Sequence, residues 1–394
     1  FYFRAMAALV AFLWARTRRI CSEWSMGEIS GAMGDLGTLL PFIVALAKDG
    51  FISIGPALFF AGVFNVTSGV QWDMPMPVQP MKAIATVALT TSFLNSRSVL
   101  CAGILTAATV ATLGLTRGIE FLHWIIPMPV VSGIQVGLGI RMIHKGFKLA
   151  GKTDTWIGID SKLTGLIAVI ATLSLRGNKR IPTALIVFIV GLIIAAVIVG
   201  TNGGGDGSFP NDGKSSPITW TLSDLTAEDW RDGFIHGTIP QVPLTTLNSV
   251  IAVTKLAHDL YPQRRSEISR VGVASAVGTM NLFGCALGAM PMCHGAGGLA
   301  AQHSFGARGG LSIVFLGFCK MLVALVFGGA AILSLLSEFP DAILGALLGI
   351  SGLELAVSGF KGVNDFVHTT SDNDISRKFR PAALICLLAA GTRG

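Results

Sequence analysis

Long apolar runs, separated by short polar or basic stretches, follow one another along most of this chain. A helix that crosses a bilayer needs about 20 mostly apolar residues, and fewer where it is broken at a buried site. Run length and periodicity give about thirteen candidate spans. They lie at 27–47, 51–70, 78–94, 98–116, 125–143, 162–176, 181–200, 233–256, 267–285, 294–305, 310–336, 341–360 and 380–392. The pattern predicts an all-α polytopic membrane protein with about 12 to 14 spans.

The composition agrees with a surface that faces lipid. Of the 394 residues, 52% are hydrophobic and 13% are charged, whereas about 25% are charged in a soluble domain. The mean hydropathy is +0.66. We therefore expect an integral membrane protein in contact with the lipid bilayer, either in the plasma membrane or in a vacuolar or other endomembrane.

The basic residues lie mainly in short loops between the apolar runs, and this placement predicts orientation. Four clusters fall on one side if the N-terminus is cytoplasmic. They are Arg16, Arg18 and Arg19; Arg176, Lys179 and Arg180; Arg264, Arg265 and Arg270; and Arg377, Lys378 and Arg380. The acidic stretch 201–232 falls on the other side, as the positive-inside rule requires, although Lys145, Lys148 and Lys152 fall there too. The net charge of +7 thus reports orientation, and we expect no nucleic-acid partner.

Four segments organise the chain. Residues 1–26 end in basic residues, the reverse of a secretory signal, so we expect a segment at the cytoplasmic surface. Residues 27–200 form a first repeat, 201–232 a polar connecting loop, and 233–394 a second repeat. We expect no cytoplasmic regulatory domain after the last span.

Internal similarity supports the two repeats. The triplet Met-Pro-Met at 74–76 recurs at 290–292, an offset of 290 − 74 = 216. Residues 31–35 align with 237–241, and 127–139 align with 340–352, in the same order. Seven spans before the boundary make the second half enter the membrane in the opposite direction, which is the inverted repeat of secondary transporters. The alternative is a duplication that was kept only for stability.

Both Met-Pro-Met copies precede short spans that should begin inside the membrane. Pro75, Pro77 and Pro80 exclude a continuous helix, and extended backbone at that depth must line a cavity or be buried in protein. Two helices would then start near the midplane, each with free N–H groups and a partial positive charge that suit an anion. Gly295 and Gly297 would let backbone approach a ligand closely.

Each of these residues also has a purely structural interpretation. Lys82 lies one turn into the first short helix, where it either contacts an anion or snorkels to the interface. His294 is either a ligand contact or a packed core histidine. The glycines of the second short span, Gly295, Gly297 and Gly298, either admit a ligand or permit close helix packing.

The first span of each half supplies further polar candidates. Asp35 is an acid within an apolar span, and such acids are usually functional. It either couples transport to protons, or pairs with Lys82, or caps a backbone break. Neutral donors occupy the matching span of the second half: Gln241, Thr245, Thr246, Asn248 and Ser249. Glu354 is a second candidate for coupling.

No motif favours an enzyme or a metal site. The six cysteines are Cys21, Cys101, Cys285, Cys293, Cys319 and Cys386, and their spacing fits neither a disulfide framework nor zinc. The sequence contains no HExxH, GxSxG or phosphate-loop pattern. We therefore expect a protein that is not an enzyme and has no cofactor or metal.

At its two motifs the chain resembles the molybdate transporter family, a branch of the sulfate permease superfamily. The motifs are PMPVQPMKAIA at 75–85 and GAMPMCHGAGGLAAQ at 288–302, followed by FGAR at 305–308. The resemblance implies seven-plus-seven inverted topology. Spans one to four and eight to eleven would form a core domain, the others a gate domain, and substrate would bind between spans three and ten. The chain departs from this pattern in stopping short of a fourteenth span.

The residues and the resemblance together give a transporter that moves molybdate by alternating access, with proton coupling as an option. We expect these substrate-binding residues: Val78, Gln79, Lys82, Gln241, Thr245, His294, Gly295, Ala296 and Gly297. Asp35 and Glu354 are the coupling candidates. Sulfate, also a tetrahedral dianion, is the nearest alternative substrate, followed by a nucleobase carrier or a channel on the same architecture. A homodimer is kept open.

Overall fold

A computed structural model describes residues 15–20, 22–125, 128–152, 155–158, 160–175, 183–201, 218, 220–327 and 329–368. Several predictions from the sequence lie outside these residues. They are the span at 380–392, most of the polar loop 201–232, residues 1–14 of the N-terminal segment, and the basic clusters at 176–180 and 377–380.

The chain is helical almost throughout. The helices of the first half are α1 (Met26–Ala32), α2 (Leu36–Lys48), α3 (Ile54–Trp72), α4 (Lys82–Thr90), α5 (Ser96–Leu115), α6 (Gly118–Ile125), α7 (Met128–Ala150), α8 (Lys162–Ser174) and α9 (Thr183–Thr201). Those of the second half are α10 (Ala227–Asp232), α11 (Ile239–Leu244), α12 (Val253–Leu260), α13 (Arg270–Ala286), α14 (Ala296–Ser304), α15 (Leu311–Val326), α16 (Gly329–Ser337) and α17 (Asp341–His368). Two short strands, β1 (Val78–Pro80) and β2 (Met292–His294), precede α4 and α14.

Side-chain caps fix where several helices begin. The Asn95 carboxamide accepts the N–H groups of Arg97 and Ser98, and Ser98 returns a bond to the Asn95 backbone, so α5 starts with a complete capping box. Ser161 and Ser269 cap α8 and α13 in the simpler way, each with one hydroxyl. These polar residues directly precede apolar runs, so each run begins a new helix at its cap.

Helix geometry changes along 227–260, where α10, α11 and α12 are joined without a turn. Wide π-helical segments occupy Gly233–Thr238 and Thr245–Ala252. Pro243 lies inside α11 and has no N–H to donate, so the ladder of hydrogen bonds shifts around it. Such π segments often mark functional sites, and this one carries the polar residues predicted for the site.

The main helix pairs each join one helix from the first half to one from the second: α3 with α15, α5 with α13, and α7 with α17. Glycines permit the contact. A methyl group at Gly62 would lie 2.6 Å from the Gly317 carbonyl oxygen, and one at Gly317 equally close to the Gly62 carbonyl oxygen. Gly139 and Gly352 repeat this relation at 2.6 Å. The halves therefore interdigitate through small residues, as membrane helices commonly do.

The two short spans are alike in detail and meet each other. Strands β1 and β2 pair antiparallel, with Gln79 opposite Cys293. Each strand has three residues, one residue follows it, and a helix of nine residues comes next. The structure thus has an extended segment and a short helix at both predicted places, while their role as membrane spans stays a prediction.

The structure also corrects the register of the repeat. The strands and helices match at an offset of 292 − 78 = 214, two less than the Met-Pro-Met spacing of 216 in the sequence. Pro77 is therefore equivalent to Pro291, and Lys82 to Ala296. Alignment of the two Met-Pro-Met triplets therefore shifts the repeats by two residues from their structural equivalence.

A matched pair of asparagines holds the two strands. The Asn65 Oδ1 atom, on α3, accepts the Val78 N–H at 2.9 Å, and the Asn281 Oδ1 atom, on α13, accepts the Met292 N–H at 2.6 Å. Val78 and Met292 are the first residues of β1 and β2. Because the same device serves both halves, it supports the inverted repeat, while seven spans in each half stays a prediction.

Much of the outer surface is apolar, as a lipid-facing protein requires. Among the described residues, four helices are long and apolar enough to cross a bilayer by length and composition: α3, α5, α9 and the first 21 residues of α17. Exposed large side chains are frequent on α8, α9 and α15, among them Ile167, Ile193 and Leu322. Lipid can solvate these side chains where water cannot.

An ion-pair cluster shows that two of the basic loops lie at the same end of the molecule. Arg16 binds Glu267 at 2.8 Å. Arg19 binds Asp73, at the end of α3, and Arg264 binds the same carboxylate and Glu23. The N-terminal and 262–267 clusters thus share one face, in agreement with their predicted placement; which face is cytoplasmic stays a prediction. The Arg16 hydrogen bond holds the pKa of Glu267 below its usual value of 4.5.

Candidate substrate-binding site

A small pocket lies where the strands, the starts of the short helices and the π-helical segment meet. Its free volume is about 10 Å³, roughly the space that one water needs. Its lining residues are Gln79, Pro80, Lys82, Gln241, Leu244, Asn248, Ser249, Cys293, His294 and Gly295. Five of the nine predicted substrate-binding residues are therefore on the pocket wall: Gln79, Lys82, Gln241, His294 and Gly295.

The other four predicted residues lie close by but do not line it. Val78 is the first residue of β1, and its side chain is fully buried. Thr245 accepts a hydrogen bond from the Gln241 carboxamide at 2.8 Å, so it supports a wall residue. Ala296 and Gly297 begin α14 directly behind Gly295.

The start of α4 is not the free amide cradle that the sequence predicts. The Gln241 Oε1 atom accepts the Ala83 N–H at 2.8 Å and the Ile84 N–H at 3.3 Å. Gln241, from the second half, thus caps this helix of the first half, and it also lines the pocket. The reason is the general one that buried N–H groups must find acceptors.

The start of α14 fits the prediction better. Among the described residues, none accepts a hydrogen bond from the N–H groups of Ala296, Gly297 or Gly298. These are first-turn donors, which have no partner within a helix. A methyl group at Gly298 would lie 2.5 Å from the Pro77 side chain, and one at Gly297 would lie 2.7 Å from the Met142 sulfur atom. A side chain at position 298 would collide with the rigid Pro77 ring, whereas the flexible Met142 side chain could shift to admit one at position 297.

Lys82 contributes a cation on the pocket wall. Its side chain is half-buried, and among the described residues it has no ion pair and no hydrogen bond. On the opposite strand, the Cys293 thiol, also on the pocket wall, accepts a hydrogen bond from the Ser249 hydroxyl at 3.1 Å. An ammonium without a carboxylate partner, facing a pocket, favours the anion-site alternative over snorkelling.

Asp35 is a member of a buried ion pair, but its partner is Lys320 and not Lys82. The Lys320 ammonium lies 2.8 Å from the Asp35 Oδ2 atom, and the Gln79 carboxamide donates to Oδ1 at 2.8 Å. The pairing alternative was right in kind and wrong in its partner. Lys320 went unnoticed although a lysine inside the apolar run 310–336 is as unusual as an intramembrane acid.

His294 is packed as well as pocket-lining. It is fully buried, and its ring meets the Trp72 ring edge-on at 5.0 Å between centroids. Neither ring nitrogen makes a well-aligned hydrogen bond to a described residue, although the Pro77 backbone lies beside the ring. The Asn248 Oδ1 atom is buried without a partner in the same sense. Both readings of His294 in the sequence, core packing and ligand contact, therefore keep support.

Glu354 is the second coupling candidate from the sequence. It lies within α17, and its side chain is outside the part of the chain that the structure describes. Within the described residues, no cluster of three or more histidine, cysteine or acidic side chains could hold a metal ion.

Other residues of the site were missed in the sequence. Asn65 and Asn281 position the strands, and both are single asparagines within apolar helices, a signal that was available. Met142 of α7 and Leu355 of α17 lie against Gly297 at the start of α14. Only the three-dimensional packing reveals those two apolar contacts.

The fold of this chain is similar to the folds of membrane transporters of known structure. The structure is similar to the transmembrane domain of a cyanobacterium bicarbonate transporter, BicA, with a TM-score of 0.58 at 14% identity over 92% of this chain and 96% of that chain. It is also similar to the murine Solute Carrier 26 family member A9 anion transporter in the inward-facing state, with a TM-score of 0.55 at 14% identity over 93% of this chain and 64% of that chain. At these identities the likeness concerns the fold alone.

Sequence comparison gives the family. A family described as "Molybdate transporter of MFS superfamily" matches residues 27–142 and 233–355. Molybdate transporter 2 of Arabidopsis thaliana is 38% identical over 387 residues, covering 88% of this chain and 81% of that protein. Molybdate transporter 1 of Chlamydomonas reinhardtii is 32% identical, over 86% and 85%. The chain belongs to the molybdate transporter family.

Two predictions are settled by these comparisons. The relatives are named as transporters and not as enzymes, so the protein is a membrane transporter. The family's description names the MFS superfamily, and the fold resembles those of BicA and the Solute Carrier 26 member A9.

Proposed function

We propose that this protein carries molybdate across a membrane, with the anion bound in the pocket between β1, β2 and the start of α14. The observation that carries the proposal is the pairing of Lys82, which has no counter-ion among the described residues, with the unbonded first-turn amides of α14. A cation on the pocket wall and free N–H groups at the adjoining helix start suit a compact dianion. The names of the relatives support molybdate as that anion.

Alternating access is the proposed mechanism. The wall of the pocket comes from α4, β1, β2 and the 227–260 helix, which belong to the proposed core. Met142 and Leu355 come from α7 and α17, which belong to the proposed gate, and they cover the start of α14 at Gly297. Movement of the α7–α17 pair relative to α14 would uncover the site toward one side and then the other.

Proton coupling is the less supported part. Both Asp35 oxygens already accept a hydrogen bond, one from Lys320 and one from Gln79. If Asp35 carries the proton, at least one of these hydrogen bonds must break during transport. Uptake with an imposed pH gradient, compared with uptake without one, tests coupling directly. A rate that ignores the gradient would exclude it.

Sulfate is the second candidate because it shares molybdate's tetrahedral shape and double charge. The test is uptake of labelled molybdate into proteoliposomes that contain the purified protein, in competition with unlabelled molybdate, sulfate or uracil. We expect saturable uptake that molybdate suppresses most strongly and uracil leaves unchanged. Stronger suppression by sulfate than by molybdate would make sulfate the substrate, and non-saturable flux would indicate a channel.

A further inference from the structure

The pair formed by Asp35 and Lys320 lies deep in the protein and joins distant parts of the chain. Asp35 is 0% exposed and Lys320 is 4% exposed. Asp35 ends the turn between α1 and α2, while Lys320 lies near the middle of α15, in the second half. Burying two charges is costly and contributes little net stability compared with apolar packing. A role beyond stability is therefore worth seeking.

The pair is connected to the pocket by the Gln79 side chain. The Gln79 Nε2 atom donates to the Asp35 Oδ1 atom at 2.8 Å, and Gln79 is also a wall residue of the pocket. Because a carboxylate can only accept, the amide nitrogen of Gln79 must face Asp35. The carboxamide oxygen then faces Gly295, where an added Cβ would collide with it.

Lys320 itself does not line the pocket. Its influence on the site has to pass through Asp35, whose Oδ2 atom it binds at 2.8 Å. With Oδ2 held by the ammonium, Oδ1 is left in place for Gln79. The order of contacts is therefore Lys320 to Asp35, Asp35 to Gln79, and Gln79 to the space beside Gly295.

We propose that Lys320 is a positioning residue of the substrate site, acting through Asp35 to fix the orientation of the Gln79 carboxamide. This inference rests on the proposed function, because its consequence is measured as substrate affinity. In this proposal, Asp35 helps to set the shape of the pocket. The charges of the pair matter less than the acceptor that the pair offers to Gln79.

Two double variants separate the acceptor from the charges. Asp35→Asn/Lys320→Met removes both charges but leaves a carboxamide oxygen for Gln79. Asp35→Leu/Lys320→Met removes both charges and the acceptor. Replacing a whole buried ion pair by neutral side chains is tolerated better than removing one partner, so the two variants form a matched comparison.

The measurement is the KM and maximal rate of molybdate uptake into proteoliposomes, normalised to folded transporter, with thermal unfolding recorded in parallel. We expect the Asn/Met variant to keep its KM within about twofold, and the Leu/Met variant to raise KM about tenfold, since a hydrogen bond to the site is lost. A purely structural role would lower the amount of folded protein in both variants and leave both KM values unchanged.

Equal KM values in the wild type and both double variants would overturn the inference. If the Leu/Met variant does not fold, Gln79→Met on the intact ion pair gives the same test, and an unchanged KM there would also overturn it. The wild type in the same preparation keeps the two proposals apart. No saturable molybdate uptake by the wild type would refute the proposed function itself, and the inference with it.

Discussion

At the scale of residues, two lysines within apolar helices have opposite surroundings. Lys320 is paired with Asp35 and is almost fully buried, whereas Lys82 faces the pocket and has no acidic partner among the described residues. A charge with a partner is satisfied within the protein; one without a partner is available to a ligand. The difference in surroundings, and not the residue type, separates a positioning role from a binding role.

The first prediction concerns that available charge. Lys82→Ala should abolish molybdate uptake and leave folding intact, because the variant removes a cation that no carboxylate among the described residues needs. Removing a hydrogen bond to a charged group costs about 1.5–3 kcal/mol, or about ten- to a hundredfold in affinity. Lys148→Ala, at an exposed position on α7, is the matched control. Normal transport by folded Lys82→Ala protein would place the site elsewhere.

The second prediction concerns Gly295. Its backbone is extended, at φ −112° and ψ 117°, so any residue can adopt the conformation and only space is at issue. A Cβ there collides with the Gln79 carboxamide, and Gly295→Val should therefore abolish uptake. Gly349→Ala, where an added Cβ meets nothing within 4 Å, should transport normally. Unchanged uptake by Gly295→Val would show that Gln79 can move aside without effect.

Single residues were the least predictable part of the site from sequence. Gln79, Lys82, Gln241 and His294 stand in or beside recognisable motifs, and the structure brings all four to one pocket. What those side chains bond to was mostly missed. Gln241 was expected as a ligand donor, whereas its oxygen caps α4. Such pairings depend on distances between chain segments more than 150 positions apart, which a single sequence does not contain.

At the scale of elements, the two short helices depend on how their strands are held. Asn281 bonds both the N–H and the carbonyl of Met292, at 2.6 and 2.5 Å. Asn65 bonds only the N–H of Val78. The β2 strand is thus anchored twice by its asparagine and β1 once.

The third prediction follows from this difference. Asn281→Leu should lower thermal stability more than Asn65→Leu, because it leaves two buried backbone groups of Met292 without partners. Each unsatisfied buried group costs about 1–3 kcal/mol. The measurement is thermal unfolding of the purified protein in detergent, with Asn364→Leu, at an exposed position on α17, as the control. Equal losses at both asparagines would argue against a graded anchoring of the strands.

The fourth prediction concerns pH and the loop after α12. The pKa of Glu267 is lowered in the folded protein by its hydrogen bond to Arg16 and by the nearby charges of Arg19 and Arg264. A carboxyl with a depressed pKa contributes stability above its ordinary value of 4.5, and this stability is lost as the pH falls through the folded value. Thermal stability of the wild type should therefore fall more steeply on acidification than that of Glu267→Gln.

Glu228→Gln is the comparison for this experiment, because the Glu228 side chain is 77% exposed and its contact with Arg231 is 3.9 Å long. The thermal stability of the Glu228→Gln variant should fall on acidification as steeply as that of the wild type. If Glu267→Gln loses stability with pH as steeply as the wild type does, the Arg16–Glu267 pair contributes nothing to the acid response.

Element types were predicted better than their register. The prolines at 75, 77 and 80 forced a break, and the structure has extended backbone followed by a nine-residue helix. The offset between the repeats was wrong by two residues, because identity of side chains was used where equivalence of backbone was needed. Prolines at 77 and 291, aligned by their place before a strand, give the offset of 214 that the structure has.

At the scale of the whole molecule, hydropathy was enough for the fold class. Apolar runs predicted a helical membrane protein, and similarity to BicA supports that fold at a TM-score of 0.58. The meeting of the two half-helices could be predicted from an odd number of spans per half, since inversion turns the second helix toward the first. Which helices pair across the halves depends on small-residue contacts such as Gly62 with Gly317, and a single sequence does not reveal them.

In the proposed function, a tetrahedral anion occupies the pocket beside Lys82, Gly295 and the first turn of α14. The most direct measurement is anomalous diffraction at the molybdenum absorption edge, from crystals of the protein grown with molybdate. We predict a single strong peak within hydrogen-bonding reach of the Lys82 ammonium and the Gly297 amide. A peak elsewhere in the protein, with this pocket empty, would contradict the account.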